Sequence, residues 1–304
     1  MQASYGSRCT LARHNKYVIL EGIMALVKDI LGWLPISVWN LDKNESEKWK
    51  AVKDCADPTV LGGTNRHSSL YKKMSVFNPA LAARVYLYWS KEGDIVVDPF
   101  AGRSTRSMVA VMLGRNYFGY EVVPKVVDLT KANLEQFQKD WKPDEWAKHP
   151  GSYVIYQGDG CQMKLTPAEY ADLVFTCPPY HQLEKYESVK GQLSDIKDYD
   201  IFLHSIQAAA TSSYRVLKPG GFCIWTVADW RQDGVYHCFH GDLIEMFSSM
   251  GFELWDIVIN QLHTPAVQGV GMAAQHYRTI KSHEYVLVWR KPGYTDRSRV
   301  GEIC

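Results

Sequence analysis

The chain has 304 residues, 46% of them hydrophobic, which predicts a packed core in one large domain with room for an extension. Its formal net charge of +1 argues neither for nor against nucleic-acid binding, because a basic cleft can lie within a balanced total. The seven cysteines are scattered, without a Cys-Xaa-Xaa-Cys pair, which argues against a disulfide framework and against a zinc site. We therefore expect no metal.

Residues 1–74 are predicted to form an N-terminal extension that begins with a helix over about residues 16–31. The apolar stretch over residues 17–34 is interrupted by Glu21, Lys28 and Asp29, so it is typical of an amphipathic helix and not of a membrane span. No signal-peptide pattern is present. We expect a cytoplasmic protein without a membrane partner.

Residues 75–292 alternate between short apolar strands and amphipathic helices, which predicts an α/β fold with a mostly parallel sheet. Helices are predicted over residues 80–89, 103–113, 199–216 and 242–250. Strands are predicted over residues 95–97, 116–121, 153–157, 172–176, 222–226, 252–260 and 283–290, with a turn over residues 217–221. The last two strands are predicted to pair antiparallel at the sheet edge, and residues 293–304 form a tail.

A strand, a glycine-containing turn and a helix follow one another between residues 95 and 113, an arrangement that suits nucleotide binding because small residues admit the ligand to the backbone. The turn is Asp98-Pro99-Phe100-Ala101-Gly102. The next strand ends at Glu121, about 20 residues later, where an acid commonly binds a ribose diol. A third strand ends at Asp159, between two glycines, which is either a ligand to the same nucleotide or a turn residue.

The strand over residues 172–176 ends in Cys177-Pro178-Pro179-Tyr180. Two consecutive prolines cannot continue a sheet ladder, so they hold Cys177 and Tyr180 in fixed positions at the carboxyl end of the strand. A fixed thiol beside a fixed aromatic ring suits a flat heterocycle that is held by its edge and stacked on its face.

These two segments resemble the motifs of the S-adenosylmethionine-dependent amino-methyltransferases that act on adenine or cytosine in DNA. The catalytic motif of that family is (Asp/Asn/Ser)-Pro-Pro-(Tyr/Phe/Trp), and this chain has Cys177 at its first position. The cofactor motif is usually Asp-Pro-Phe-Xaa-Gly-Ser-Gly-Thr-Thr, and this chain continues after Gly102 with Arg103-Ser104-Thr105-Arg106. The two arginines are expected at the cofactor carboxylate, at DNA phosphate, or on the helix surface.

The resemblance extends over residues 75–292. It implies a Rossmann-like class I methyltransferase fold, S-adenosyl-L-methionine as the cofactor, and double-stranded DNA with a flipped-out base as the partner. It also implies a cytoplasmic protein of bacterial or phage type, for which a homodimer is a further expectation. Residues 262–282 would form a short DNA-recognition insert.

The resemblance assigns residues to three groups. The catalytic residues are Cys177, Pro178, Pro179 and Tyr180. The cofactor-binding residues are Phe77, Asn78, Asp98, Pro99, Phe100, Ala101, Gly102, Ser104, Thr105, Glu121, Val122, Asp159, Gly160 and Cys177; the alternative for Asn78 is a helix cap. The substrate-binding residues are Tyr180, His181, Lys185, Tyr186, Arg231, Gln275 and Arg278.

Three interpretations of Cys177 remain open. As a near-isostere of serine it leaves amino-methylation intact, which favours N4 of cytosine over N6 of adenine. As a nucleophile it would make the chain a cytosine-C5 methyltransferase. As a small filling residue it would have no chemical role. Two further hypotheses are an RNA methyltransferase and a non-catalytic protein that binds DNA or cofactor.

Overall fold

The computed structural model describes residues 36–41, 49, 52, 77–143, 147–181, 189–262 and 273–293. From Ser37 onward these residues belong to one unit, Ser37–Thr295. The strands of its main sheet are β1 (Val38–Asn40), β2 (Ile95–Asp98), β3 (Asn116–Glu121), β4 (Tyr153–Gln157), β5 (Ala171–Thr176), β6 (Leu217–Val227), β9 (Glu253–Gln261) and β10 (His283–Arg290). Two further strands, β7 (Trp230–Gln232) and β8 (Val235–His237), form a separate hairpin.

The helices alternate with these strands along the chain. They are α1 (Pro79–Trp89), α2 (Thr105–Met112), α3 (Pro124–Asp140), α4 (Tyr199–Val216) and α5 (Phe239–Ser249), with a short 3₁₀ turn at Leu193–Asp195. Local sequence explains where they begin. The Asn78 carboxamide accepts a hydrogen bond from the Ala80 amide and Pro79 follows it, while the Asp198 carboxylate caps α4 through the Ile201 amide.

The strand order is β1-β9-β10-β6-β5-β2-β3-β4. Strands β6, β5, β2, β3 and β4 are parallel neighbours, and β10 is antiparallel to both β6 and β9. The chain adds β3 and β4 on one side of β2 and adds β5 and β6 on the other. The carboxyl ends of β2 and β5 therefore flank the switch point of the sheet, where open α/β sheets bind ligands. The predicted α/β fold class and antiparallel pair are confirmed.

Two details of the sheet differ from the prediction. Strand β1, from the predicted N-terminal extension, pairs parallel with β9, so the antiparallel pair is one strand removed from the edge. The predicted turn over residues 217–221 lies inside β6, where the register changes between the pairs Ala171–Leu217 and Leu173–Phe222. Gly220 there has φ of 74°, so the chain bulges without leaving the sheet. The predicted helix over residues 16–31 lies outside the described residues.

The central strands are buried as their apolar runs predict. All six residues of β5 are buried, because helices cover a parallel sheet on both faces. Among the described residues, no helix combines the length and the apolar run that crossing a membrane requires.

Candidate active site

A cleft opens at the carboxyl ends of β2, β3, β4 and β5, with an empty volume of about 870 Å³ that includes space open to solvent. The cleft is lined by Phe77, Pro99, Phe100, Gly102, Arg103, Arg106, Tyr120, Glu121, Val122, Gly158, Asp159, Gly160, Cys177, Pro178, Pro179, Tyr180, Gly191, Gln192 and Leu193. The glycine turn, the two strand-end acids and the Pro-Pro segment thus meet in one place.

Asp98, predicted to bind the cofactor, lies under the cleft with a fully buried side chain. Its Oδ1 accepts hydrogen bonds from the Thr176 hydroxyl at 2.6 Å and the Phe100 amide at 3.0 Å. Its Oδ2 accepts from the Tyr117 hydroxyl at 2.7 Å and from Arg106 Nε at 2.8 Å. The carboxylate therefore joins the ends of β2 and β5 to the beginning of β3 and to the first turn of α2.

Arg106 is also buried, and it forms part of the cleft wall. One terminal nitrogen donates to the carbonyl oxygens of Phe100 at 2.5 Å and Ala101 at 3.3 Å, and the guanidinium lies 5.0 Å from the ring centre of Phe77. Burial alone would lower the pKa of Arg106, but Asp98, Tyr117 and Cys177 together outweigh burial and hold the pKa above its ordinary value. The guanidinium is a fixed cation that shapes the glycine turn.

Glycine is required at two positions, one in the turn after β2 and one in the loop after β4 that packs against this turn. Gly102 has φ of +54°, a left-handed conformation that side chains disfavour. A Cβ added to Gly160 would lie 1.7 Å from the carbonyl oxygen of Pro99, so the loop after β4 packs directly on the turn after β2. Only a glycine at 160 permits this contact.

Glu121 lies at the end of β3 and its carboxylate accepts a hydrogen bond from the Val123 amide at 2.8 Å. Burial raises the pKa of Glu121 more than hydrogen bonds from the amides of Val123 and Gly102 lower it. Asp159 accepts from the Cys161 amide at 2.8 Å, which is a turn contact, and still lines the cleft. Both acids therefore present oxygen acceptors to a ligand.

The Cys177–Tyr180 segment leaves β5 on the other side of the cleft. Cys177 and Tyr180 are half-buried, and all four residues line the cleft. Tyr180 contacts the Trp230 ring edge to face, with centres 5.8 Å apart. The tyrosine ring is therefore braced from the protein side, as a stacking platform requires.

Several predicted site residues do not line the cleft. Ser104, Thr105 and Ala101 are buried behind the turn, and the side chain of Asn78 is used in capping α1. His181 is buried beside Tyr199 and Phe202, and burial lowers its pKa. Arg231, Gln275 and Arg278 are exposed outside the cleft, and Lys185 and Tyr186 lie outside the described residues.

Five lining residues, Tyr120, Gly158, Gly191, Gln192 and Leu193, were assigned no individual role from the sequence. Tyr120 precedes the predicted acid Glu121, and its hydroxyl shares a hydrogen bond with Thr166 at 2.8 Å. Gly191, Gln192 and Leu193 belong to the loop before α4, and no motif marks them. Position along the chain gave the only signal: the loop follows the Pro-Pro segment.

One group of potential metal ligands is present among the described residues. Asp229, Cys238 and His240 place ligand atoms within 4.8 Å of one another. Both oxygens of Asp229 already have partners, with His240 Nδ1 at 2.8 Å from Oδ1 and the Tyr236 hydroxyl and Lys281 Nζ at 2.8 and 3.5 Å from Oδ2. An ammonium group beside the carboxylate disfavours a cation there, so we assign Asp229 a structural role.

Residues 28–132 and 171–301, more than half of the chain, match the family model of N6 and N4 DNA methylases. The chain belongs to this DNA methylase family. The family prediction is therefore confirmed. The two matched ranges contain the glycine turn, Glu121 and the Cys177–Tyr180 segment.

Individual relatives match over shorter stretches. The chain is 34% identical over 67 residues to an orphan methyltransferase, M.BamHII, of Bacillus amyloliquefaciens, covering 22% of this chain and 25% of that protein. It is 41% identical over 59 residues to the type II methyltransferase M.HinfI of Haemophilus influenzae, covering 19% and 16%. The matches thus span a quarter or less of these relatives' lengths. Among solved structures, TrmN from Thermus thermophilus aligns with a TM-score of 0.47 at 15% identity, covering 71% of this chain and 49% of TrmN.

Proposed function

We propose that this protein is an S-adenosylmethionine-dependent DNA methyltransferase that acts on an exocyclic amino group of a flipped-out base, with N4 of cytosine preferred over N6 of adenine. The observation that carries the proposal is the cleft at the switch point of the sheet. In it, the glycine turn with Glu121 faces the Cys177–Tyr180 segment. A site for a nucleoside cofactor and a platform for a base therefore share one cavity.

The residues on the β2–β4 side fit the cofactor. Glu121 offers a partly buried carboxylate for ribose hydroxyls, and Asp159 offers an acceptor for an adenine amino group. Gly102 and Gly160 keep the floor free of side chains, and Phe77 closes one wall. When bound, the cofactor supplies an electrophilic sulfonium methyl group.

The residues on the β5 side fit the base. The amine of a nucleobase is a poor nucleophile, because its lone pair is delocalised into the ring. The Pro178 carbonyl, with Cys177 beside it, would accept hydrogen bonds from the amine and so orient its lone pair, while Tyr180 would stack on the base. The site contributes position and electrostatics to a direct displacement.

The choice of cytosine follows from the size and chemistry of Cys177. A thiol resembles the serine that the resembled family associates with cytosine N4 targets, and it is a weaker acceptor. The main acceptor is therefore the backbone carbonyl that follows it. Cys177→Ser should then preserve the product.

One observation favours a second candidate, cytosine-C5 methylation. Arg106 and Cys177 both line the cleft, and Cys177, as a thiolate, contributes to the raised pKa of Arg106. Such a thiolate would add to C6 of cytosine, C5 would take the methyl group, and loss of the C5 proton would release the thiol. The N6 and N4 family assignment favours the amino reaction.

The test is transfer of labelled methyl from S-adenosyl-L-methionine to DNA and, separately, to RNA, with wild type beside Tyr180→Ala. Label in DNA that depends on Tyr180 supports the proposal. Label in RNA alone, or the absence of cofactor binding by calorimetry, would overturn it.

A further inference from the structure

A hairpin stands beside the cleft at the carboxyl end of β6. Its strands β7 and β8 pair Trp230 with His237 and Arg231 with Tyr236. They are joined by Asp233 and Gly234, with φ of 48° and 85°, as the tight turns of two-residue hairpins require. Because side chains alternate along a strand, the hairpin presents two different faces.

The outer face carries two cations on one aromatic ring. Tyr236 is 41% exposed, the exposed Arg231 guanidinium lies 5.1 Å from its ring centre, and Lys281 Nζ lies 4.6 Å from it. Lys281 comes from the segment before β10, so two parts of the chain meet here. Contacts with an aromatic face fix both cations in place.

The base of the hairpin is anchored by Asp229. Its carboxylate accepts from the Tyr236 hydroxyl at 2.8 Å, from the His240 amide at 3.1 Å, and lies 3.5 Å from Lys281 Nζ. Burial alone would lower the pKa of Lys281, but Tyr236 and Asp229 hold it above its ordinary value. Lys281 therefore stays charged beside the buried carboxylate of Asp229.

The inner face contacts the catalytic segment. The rings of Trp230 and His237 stack with centres 5.2 Å apart and an interplanar angle of 20°. Trp230 also meets Tyr180 at 5.8 Å and Tyr199 at 5.9 Å. The same hairpin thus carries cations outward and supports the proposed stacking ring inward.

We propose that this hairpin is a DNA-backbone clamp. Arg231 and Lys281 bind phosphates of the substrate strand, and Trp230 on the opposite face is a positioning residue for Tyr180. The inference rests on the proposed function and adds to it the element that holds the DNA. A phosphodiester backbone fits the outer face, because it is a regular line of anions that two fixed cations can bind.

The test measures binding of a short mixed-sequence duplex by fluorescence anisotropy at several KCl concentrations. Arg231→Gln/Lys281→Gln should weaken binding and reduce the slope of log affinity against log salt by about two, since each phosphate contact contributes about 0.9. The matched control is Lys131→Gln/Lys139→Gln, which removes two exposed lysines from α3, the helix that packs on β3 and β4. An unchanged slope in the hairpin variant, or an equal reduction in the control, would overturn the clamp.

A second variant tests the inner face. Trp230→Leu should lower kcat for methyl transfer about tenfold, in proportion to lost stacking, while the salt slope stays at the wild-type value. An unchanged kcat would show that Trp230 does not position Tyr180 for methyl transfer. A failure of the proposed function gives a different result from a failure of the clamp. The wild-type protein would then bind DNA with the full salt slope and transfer no methyl group.

Discussion

The carboxylate of Asp98 and the guanidinium of Arg106 form a buried ion pair directly under the cleft, with Nε 2.8 Å from Oδ2. The resembled cofactor motif has threonine where this chain has Arg106. The arginine reaches back to the strand end and also binds the carbonyl groups of Phe100 and Ala101. The arginine at this position therefore attaches the glycine turn to α2 through a charged contact.

Breaking this pair should destabilise the fold. Asp98→Ala would leave Arg106 buried without its counter-ion, so we expect the free energy of unfolding in urea to fall by about 3–5 kcal/mol. The control is the exposed pair of Glu135 and Lys139, where Glu135→Ala should cost less than about 1 kcal/mol. Equal losses in the free energy of unfolding would show that the buried ion pair contributes no more stability than the exposed pair.

Gly160→Ala should separate the two loops that form the cleft floor. The new Cβ would overlap the Pro99 carbonyl, so backbone must move, at a cost of about 1–3 kcal/mol or more. Gly158→Ala is the matched control, because nothing lies within 4 Å of its added Cβ. Thermal denaturation should show a lower Tm for the first variant alone; a wild-type Tm for Gly160→Ala would contradict the packing.

Glu121→Gln should weaken cofactor binding about tenfold or more, because hydrogen bonds to a charged acceptor contribute about 1.5–3 kcal/mol each. Burial holds the pKa of Glu121 above its ordinary value. Lowering the pH through that raised pKa protonates the acceptor. The cofactor affinity of the wild type should therefore fall at a higher pH than it would with a glutamate of ordinary pKa. Calorimetry over a pH series checks this, and the affinity gap between wild type and Glu121→Gln should narrow on acidification. A constant gap would exclude the carboxylate as the acceptor.

Tyr180→Phe and Tyr180→Ala separate the ring of this residue from its hydroxyl. If the ring stacks on the base, phenylalanine should retain methyl transfer within a few-fold, and alanine should lose about 1–3 kcal/mol, or roughly 10–100-fold in kcat/KM. Cofactor affinity should stay unchanged in the phenylalanine variant. A large loss in Tyr180→Phe would instead assign the role to the hydroxyl.

Local sequence predicted those elements whose signals are short-range. Strands β3, β4 and β10 and helix α4 have the predicted bounds, because an apolar run or a helical period decides them. The glycine turn and the Pro-Pro segment were recognisable for the same reason. Their meeting in one cleft follows from strand order and is a rule of open α/β sheets.

The structural features that could not be predicted from the sequence depend on contacts between distant residues. The pairing of β1 with β9 joins segments more than 200 residues apart, and nothing in Val38–Asn40 indicates its partner. The sequence suits Asn78 both to capping a helix and to binding the cofactor. The hydrogen bond that its side chain accepts from the Ala80 amide favours the cap. Leu193 lines the cleft because of the path of a loop, which residue types alone do not encode.

Methylation of the cytosine amino group is tested most directly by mass spectrometry of nucleosides from DNA treated with the protein and S-adenosyl-L-methionine, with wild type beside Cys177→Ser. If Cys177 acts in place of serine, both proteins should produce N4-methylcytosine. DNA without any methylated base, or 5-methylcytosine that disappears in the serine variant, would contradict it.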